Sequence, residues 1–442
     1  MSPRPPQKRG PIARRGRTGG EAVIDGPEAI TPRWLDEAIA PQGVSRRRGE
    51  GGIESVNVQE IGEGVGQLSR IFRVEIVGGE DYPASVVVKL PSDDPQAFRM
   101  CRRMSLYRRE FLSYRRVTPA LGVATPNLLF GEFDVRTHRF VLVLDDVANW
   151  WYGRARGRDQ LQGADASEAR AAVRAVARIH APFWGQTDRT SESGSEARTA
   201  KAPSEHPLSE FREIFRPLVR WALQFVYVKS LPAALARFPE AFNSRHREFV
   251  AAFGPFVAAQ LAAASSGPKT FIHGDYRLDN MFFSSREAER FAIVDWQAAA
   301  IGCGLYDLAY FVCTSVSRAL RPRIEGELLE EYHGELCVRG VREFSIEKCR
   351  ELYRASVLAC LVRQVIVAGS ANLDNERAHR LTQTCLRRTL HAIDGVDGWA
   401  HIASAGRRSA LGWAVTRLAH HAARWGSARG RTQAGPGLRT GG

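Results

Sequence analysis

The 442-residue sequence predicts an α+β fold in two parts, a small antiparallel sheet with one helix followed by a larger, mainly helical portion. Three observations predict it. Apolar residues alternate through 54–90 and again through 127–144, the period of half-buried strands. Apolar residues recur every three or four positions through 98–114 and 165–183, the period of amphipathic helices. Between the helical stretches of the second part lies a run of polar loop residues, 273–280, behind an apolar strand, with a second apolar strand, Phe291 to Val294, ending on Asp295.

The first part opens with Val56/Val58 and Phe72/Val74/Ile76, two strands joined through Gly62-Glu63-Gly64-Val65-Gly66. A third strand, Ala84 to Leu90, carries Lys89 near its end. Phe98, Cys101, Met104, Tyr107, Phe111 and Tyr114 then define one continuous helix with Glu110 on it. Two more strands, Asn127 to Phe133 and Arg139 to Leu144, complete a sheet of five and run into Asp145-Asp146-Val147. This part spans 21–147.

The second part, 148–400, begins with a helix over Asp165 to Phe183. A polar stretch, 186–207, reads as a mobile insertion. Residues 208–266 read as aromatic-rich helices, and Asp307 to Ile393 as a further helical series. A last helix is expected from Arg408 to Trp425.

The formal charge of +14 sits at the ends. Residues 1–20 carry six basic and no acidic residues, and 401–442 carry seven and none, so the stretch between is close to neutral. A nucleic-acid partner is therefore not expected of the folded part. The N-terminal tail holds too little apolar surface to fold alone and is expected to be disordered. Arg14-Arg15 is followed by no apolar stretch of the kind an export signal needs. The run Val357 to Val367 is broken by Arg363 and Gln364, so no membrane span is expected. The seven cysteines form no Cys-x-x-Cys pair and read as reduced thiols, which points to a cytoplasmic protein.

The chemistry concentrates in His273-Gly274-Asp275-Tyr276-Arg277-Leu278-Asp279-Asn280 and in Asp295. Taken singly, Gly, Asp and Asn are common wherever strands end. In this order they suit phosphoryl transfer from a magnesium nucleotide. Asp275 is placed to orient a hydroxyl and take its proton. Asn280 offers a neutral oxygen to Mg²⁺ and Asp295 a charged one. Lys89 is placed to meet phosphate oxygens, with Glu110 to hold it extended; without the downstream acids they would read as a strand-end lysine and a surface glutamate. Gly62, Gly64 and Gly66 either let backbone N–H groups approach phosphate or form a flexible hairpin turn. His273 and Asp307 are structural supports of the loop, Asp307 as a helix cap or a partner reaching back to it. His180 reads as a core histidine.

These residues resemble the aminoglycoside phosphotransferase and choline kinase superfamily, from the glycine turn near Gly62 to the helix after Asp307. Ala177-Arg178-Ile179-His180-Ala181-Pro182-Phe183-Trp184 and Asp295-Trp296-Gln297 look most like its ecdysteroid-kinase-like branch. The resemblance implies a protein-kinase-like two-lobed fold, with ATP in the cleft and adenine against the linker Asp145, Asp146 and Val147. It implies phosphate contact by Lys89, its pairing with Glu110, base function for Asp275 and metal binding by Asn280 and Asp295. The basic tails and the polar insertion depart from the family pattern.

Aminoglycosides are polycations and call for an acidic pocket, whereas 208–266 holds more aromatics than acids. The expected acceptor is a small neutral or anionic hydroxyl compound with an apolar body, although the same aromatics would equally serve as helix-packing core. Two other classes stay open. One is a pseudokinase-like regulatory module. The other is an anionic-surface binder, with peripheral membrane or nucleic-acid contact through the basic stretch Arg408 to Trp425; that helix docked on the second part is the alternative.

Overall fold

The computed structural model describes residues 23–40, 52–62, 68–153, 155–185, 206–285, 290–373 and 375–400. Gly64, Gly66, most of the polar insertion, both basic tails and the helix expected over Arg408 to Trp425 lie outside them.

The first part is a five-stranded sheet built from β1 (Ile53–Ile61), β2 (Ser69–Gly78), β3 (Ser85–Pro91), β4 (Leu128–Phe133) and β5 (Phe140–Asp145). All neighbours are antiparallel, in the order β1-β2-β3-β5-β4. β3 and β5 are inner strands buried on both faces, which explains their near-continuous apolar sequences.

The two-residue alternation of these strands sorts two cores. Val86, Val88, Leu90, Val141 and Val143 face a helix that the sequence reading did not assign, α1 (Pro32–Ile39), which buries Leu35 against them. Its start carries an ordinary signal, Thr31 accepting a hydrogen bond from the Trp34 N–H with proline at the first helical position. Phe140, Leu142 and Leu144 face the opposite side, toward Tyr107 and Phe111. Lys89 shares that second side by register.

The single helix expected over 98–114 is two helices, α2 (Pro95–Met104) and α3 (Leu106–Leu112), followed by a wider π turn over Ser113–Val117. The break is Ser105, whose backbone is left-handed at φ 56°. Periodicity does not register such a residue. It redirects α3 so that Tyr107, Glu110 and Phe111 are buried together.

The second part contains the short α4 (Trp150–Gly153) and β6 (Ala155–Gly157), then α5 (Ala166–His180), α6 (Pro217–Arg237), α7 (Ser244–Phe253) and α8 (Val257–Ala264). Next come β7 (Lys269–Ile272), β8 (Met281–Ser284), β9 (Phe291–Ile293) and β10 (Ala300–Cys303), followed by α9 (Leu305–Ser315), α10 (Arg321–Val338), α11 (Ile346–Ser370) and α12 (Glu376–Gly395). Asp165 caps α5 through a reciprocal box with Glu168. Among the described helices α11 alone is long and apolar enough to cross a membrane, and 72 % of its most apolar window is buried inside the protein.

Of the aromatics in 208–266, Phe211, Phe215, Tyr227, Phe238, Phe242, Phe249, Phe253 and Phe256 are core residues. Trp221 and Phe225 stay exposed on α6. The aromatic richness of this segment therefore reflects helix packing, and it no longer argues for an apolar acceptor.

Candidate active site

Strand alternation turns Lys89 toward α3, and there its Nζ lies 2.5 Å from Glu110 Oε1 and 2.9 Å from Asp295 Oδ1. Three residues far apart in sequence meet at one ammonium. Lys89 is 4 % exposed and Glu110 fully buried. Burial pushes the Glu110 carboxyl up, to about 7, while the Lys89 ammonium pulls against it. Glu110 Oε2 is buried without a hydrogen-bond partner among the described residues. Asp295 adopts left-handed backbone at φ 67°, a conformation Asp tolerates better than most residues. Its N–H donates to the Tyr114 hydroxyl at 3.3 Å, and Gln297 Nε2 donates to its Oδ2 at 3.2 Å.

The loop after β7 is held from beneath by Asp307, a fully buried carboxylate in the first turn of α9. It accepts the N–H groups of His273 at 2.6 Å and Gly274 at 2.9 Å. His180 Nε2 is 3.3 Å from the same carboxylate, and its Nδ1 is 2.9 Å from the Tyr332 hydroxyl. His273 Nδ1 accepts the Asp275 N–H, which leaves the proton on Nε2 to donate to the Val294 carbonyl at 3.0 Å. His273 thus ties the loop to the strand that delivers Asp295. Gly274 has φ 77°, and a Cβ there would sit 2.3 Å from the Ala298 carbonyl oxygen, so glycine is required.

Asn280 Nδ2 donates to the Asp275 carbonyl at 2.9 Å and lies 3.3 Å from Asp275 Oδ2. With the amide nitrogen committed inward, its oxygen is left as a donor to a cation. The Val294 N–H donates to the Asn280 carbonyl, closing the link between the two halves of the site.

Asp275 has two partners that sequence reading did not assign. Arg363, from the middle of α11, donates through Nη2 to Asp275 Oδ1 and through Nη1 to the Gly274 carbonyl, both at 2.7 Å. Arg277 Nε lies 3.3 Å from the other carboxylate oxygen. Burial alone would raise the Asp275 carboxyl, but Arg363 and then Arg277 outweigh it and hold it well below the usual carboxylate range. The signal for Arg363 was its interruption of the apolar run Val357 to Val367. A charge on a core helix needs a partner, though sequence alone does not say which.

Arg109, on α3 beside Glu110, spans between parts by donating toward the carbonyls of Ala298 and Ala299 while also bonding that of Met104. Burial depresses it to about 10.

In the linker, Asp145 accepts from Asn127 at 2.6 Å. Asp146 accepts from Arg73, Ser85 and the Ala148 N–H. Val147 is buried beside Ala155 and Ala292. These side chains are engaged with the protein, and so are the Asp145 N–H, which donates to the Asn127 carbonyl, and the Asp146 and Val147 carbonyls, which accept from Asn149 and Trp150. Of the expected phosphate-loop residues, Gly62 is left-handed at φ 76°, and no described residue lies within 4 Å of where a Cβ would stand, while Gly64 and Gly66 lie outside the described residues.

A sheet carrying a buried lysine–glutamate pair, joined to a helical portion with an Asp-x₄-Asn loop and a following aspartate, defines a kinase-like phosphotransferase. Residues 63–340, more than half of the chain, match the ecdysteroid kinase-like family, and the chain belongs to it. Among solved structures it is similar to a choline/ethanolamine kinase family protein from Mesorhizobium loti, at 19 % identity over 79 % of this chain and 92 % of that one, TM-score 0.44. It is also similar to the macrolide 2′-phosphotransferase from Brachybacterium faecium, at 17 % identity over 77 % and 94 %, TM-score 0.39. A short stretch of 43 residues is 46 % identical to human acyl-CoA dehydrogenase family member 11, covering 10 % of this chain and 6 % of that protein.

Proposed function

We propose that this member of the family transfers the γ-phosphoryl group of magnesium-bound ATP to a hydroxyl group of a small molecule. The observation that carries the reading is the convergence of Glu110 and Asp295 on the Lys89 ammonium. A buried cation held by one carboxylate from below and by the metal-ligand candidate from above suits contact with phosphate oxygens.

The donor set fits magnesium. Among the described residues no group of three or more His, Cys, Asp and Glu could hold a metal without help. Asn280 and Asp295 supply one neutral and one charged oxygen, the sparse protein share expected where nucleotide phosphates and water complete an octahedron. When bound, the ion would neutralise charge developing on the phosphates.

Asp275, held ionised between two guanidiniums, is a weak base. Its contribution is to fix the hydroxyl in line, with proton loss late in the step, which agrees with a loose transition state that asks little of the nucleophile. The same guanidiniums disfavour a polycationic acceptor by like-charge repulsion at the reacting group.

The test is ADP release from ATP across a panel of hydroxyl compounds, with and without chelator, beside Lys89→Met and Asp295→Asn. Turnover is expected to need magnesium and to fall by about two to three orders of magnitude in either variant. Acceptor-dependent turnover that survives Asp295→Asn or chelation at full rate would overturn the assignment.

A further inference from the structure

We infer that the acceptor is a hydroxy acid, carrying a carboxylate that Arg363 recognises beside the hydroxyl to be phosphorylated. The inference rests on the phosphotransferase reading above and adds the substrate class.

Arg363 sits where only a ligand contact or a structural tie would justify it. Its helix neighbours Val362 and Val365 are core residues, yet its own side chain is 34 % exposed. It reaches from α11 to Gly274 and Asp275, so a hydroxyl poised on Asp275 lies beside its guanidinium.

The charge pattern separates Arg363 from an ordinary tie. Arg363, Asp275, Arg277, Asp279, Arg377 and Asp159 form an alternating chain with contacts of 2.7, 3.3, 3.2, 3.3 and 3.1 Å. Arg277 and Arg377 each lie between two carboxylates. Arg363 ends the chain and shares its carboxylate with Arg277, so positive charge is in excess at this end, where the hydroxyl must bind. The guanidinium lies 4.5 Å over the Tyr310 ring, which fixes its plane. A planar fork with five donors, engaged with Gly274, Asp275 and the Tyr306 hydroxyl, is held in advance of binding and keeps donors suited to a carboxylate.

The reaction balances without a further reagent. The hydroxyl oxygen bonds to the γ-phosphorus, the bond from that phosphorus to the β–γ bridging oxygen breaks, and ADP leaves with the electron pair. The hydroxyl proton passes to solvent, and the carboxylate is unchanged.

The test uses the full chain with 2-hydroxyhexanoate and 3-hydroxyhexanoate, the methyl ester of each, and the amino alcohols of matched spacing. ADP release gives kcat/KM for each acceptor in the unmutated chain, Arg363→Gln and Arg363→Lys. Calorimetry gives their binding with and without magnesium AMP-PNP. The acids are expected to be favoured over their esters by at least about tenfold, the worth of a charge-assisted contact. Arg363→Gln should bring that ratio toward unity while Arg363→Lys keeps part of it. Because the ratio is taken within each variant, a general loss of folding or rate does not move it. Esters or amino alcohols used as well as acids, or a ratio unchanged in Arg363→Gln, would overturn the inference. If nucleotide binds but no acceptor turns over, acids that bind no tighter than esters overturn it as well. Failure of the underlying reading shows differently, as absence of nucleotide binding together with absence of ADP release.

Discussion

Arg363 and Asp275 form a 2.7 Å ion pair across 88 positions of sequence, joining the middle of the longest described helix to the loop that carries the candidate catalytic carboxylate. The pair sets both the acidity and the rigidity of that carboxylate. Its properties can be tested together with those of the other residues that assemble around it.

Asp275→Asn should lower turnover by at least about two orders of magnitude. It should also cost stability, about 2–3 kcal/mol, because two guanidiniums lose their shared counter-charge, with Arg363 exposed enough for water to moderate the loss. In the unmutated chain the carboxyl is depressed below 3.8. Its contribution is therefore present above that value and lost only in stronger acid, so no limb of the pH–rate profile above 3.8 should belong to Asp275. Denaturant titration and rate profiles check the two halves of this expectation.

Glu110 behaves in the opposite sense. Its folded-state carboxyl is raised from 4.5 toward about 7, so its contribution to stability is full below 4.5 and declines as pH rises through that window. Glu110→Gln should flatten the dependence of unfolding free energy on pH there while reducing turnover through a loosened Lys89. A variant whose stability keeps the same slope would show that Glu110 does not titrate in the window.

Gly274→Ala should be among the most damaging single-methyl changes in the chain, costing about 3 kcal/mol or more, since the backbone is left-handed and the methyl would meet the Ala298 carbonyl at 2.3 Å. Gly62→Ala is the control. It has a similar φ of 76° but nothing among the described residues within 4 Å of the new Cβ, so about 1 kcal/mol is expected. Equal unfolding midpoints for the two variants would contradict the packing argument.

Asp307→Ala removes the acceptor of two loop N–H groups and a histidine, all buried. A loss of about 3–5 kcal/mol is expected, comparable to breaking a buried charged network. Nucleotide affinity in whatever fraction remains folded should change less than turnover, because Asp307 supports the Asp275 loop and not Lys89. Parallel ligand titration and rate measurement separate the two.

Much of this site could be read from the chain because local order encodes it. Lys89 follows from strand alternation, and Asp275, Asn280 and Asp295 follow from spacing between short strands. Arg363 is different in kind: its partner lies in another element, and the sequence shows only a charge interrupting an apolar run. The break at Ser105 was hidden because apolar spacing continues across it while the backbone changes hand. The aromatics of 208–266 failed as a guide to the acceptor because composition does not distinguish a pocket wall from a packed core, and eight of them are core.

Asp307 also bears on the order in which the molecule is built. Asp307 stands on α9, the residues that converge on it come from α5 and the loop after β7, and through His180 the contact extends to Tyr332 on α10. Such widely separated partners cannot meet until most of the helical portion has been synthesised and has docked, and contacts of long sequence separation form slowly. The loop carrying Asp275 should therefore be among the last pieces to settle. Return of turnover after refolding should lag behind return of helical content, making catalysis a clock for the final stage of assembly.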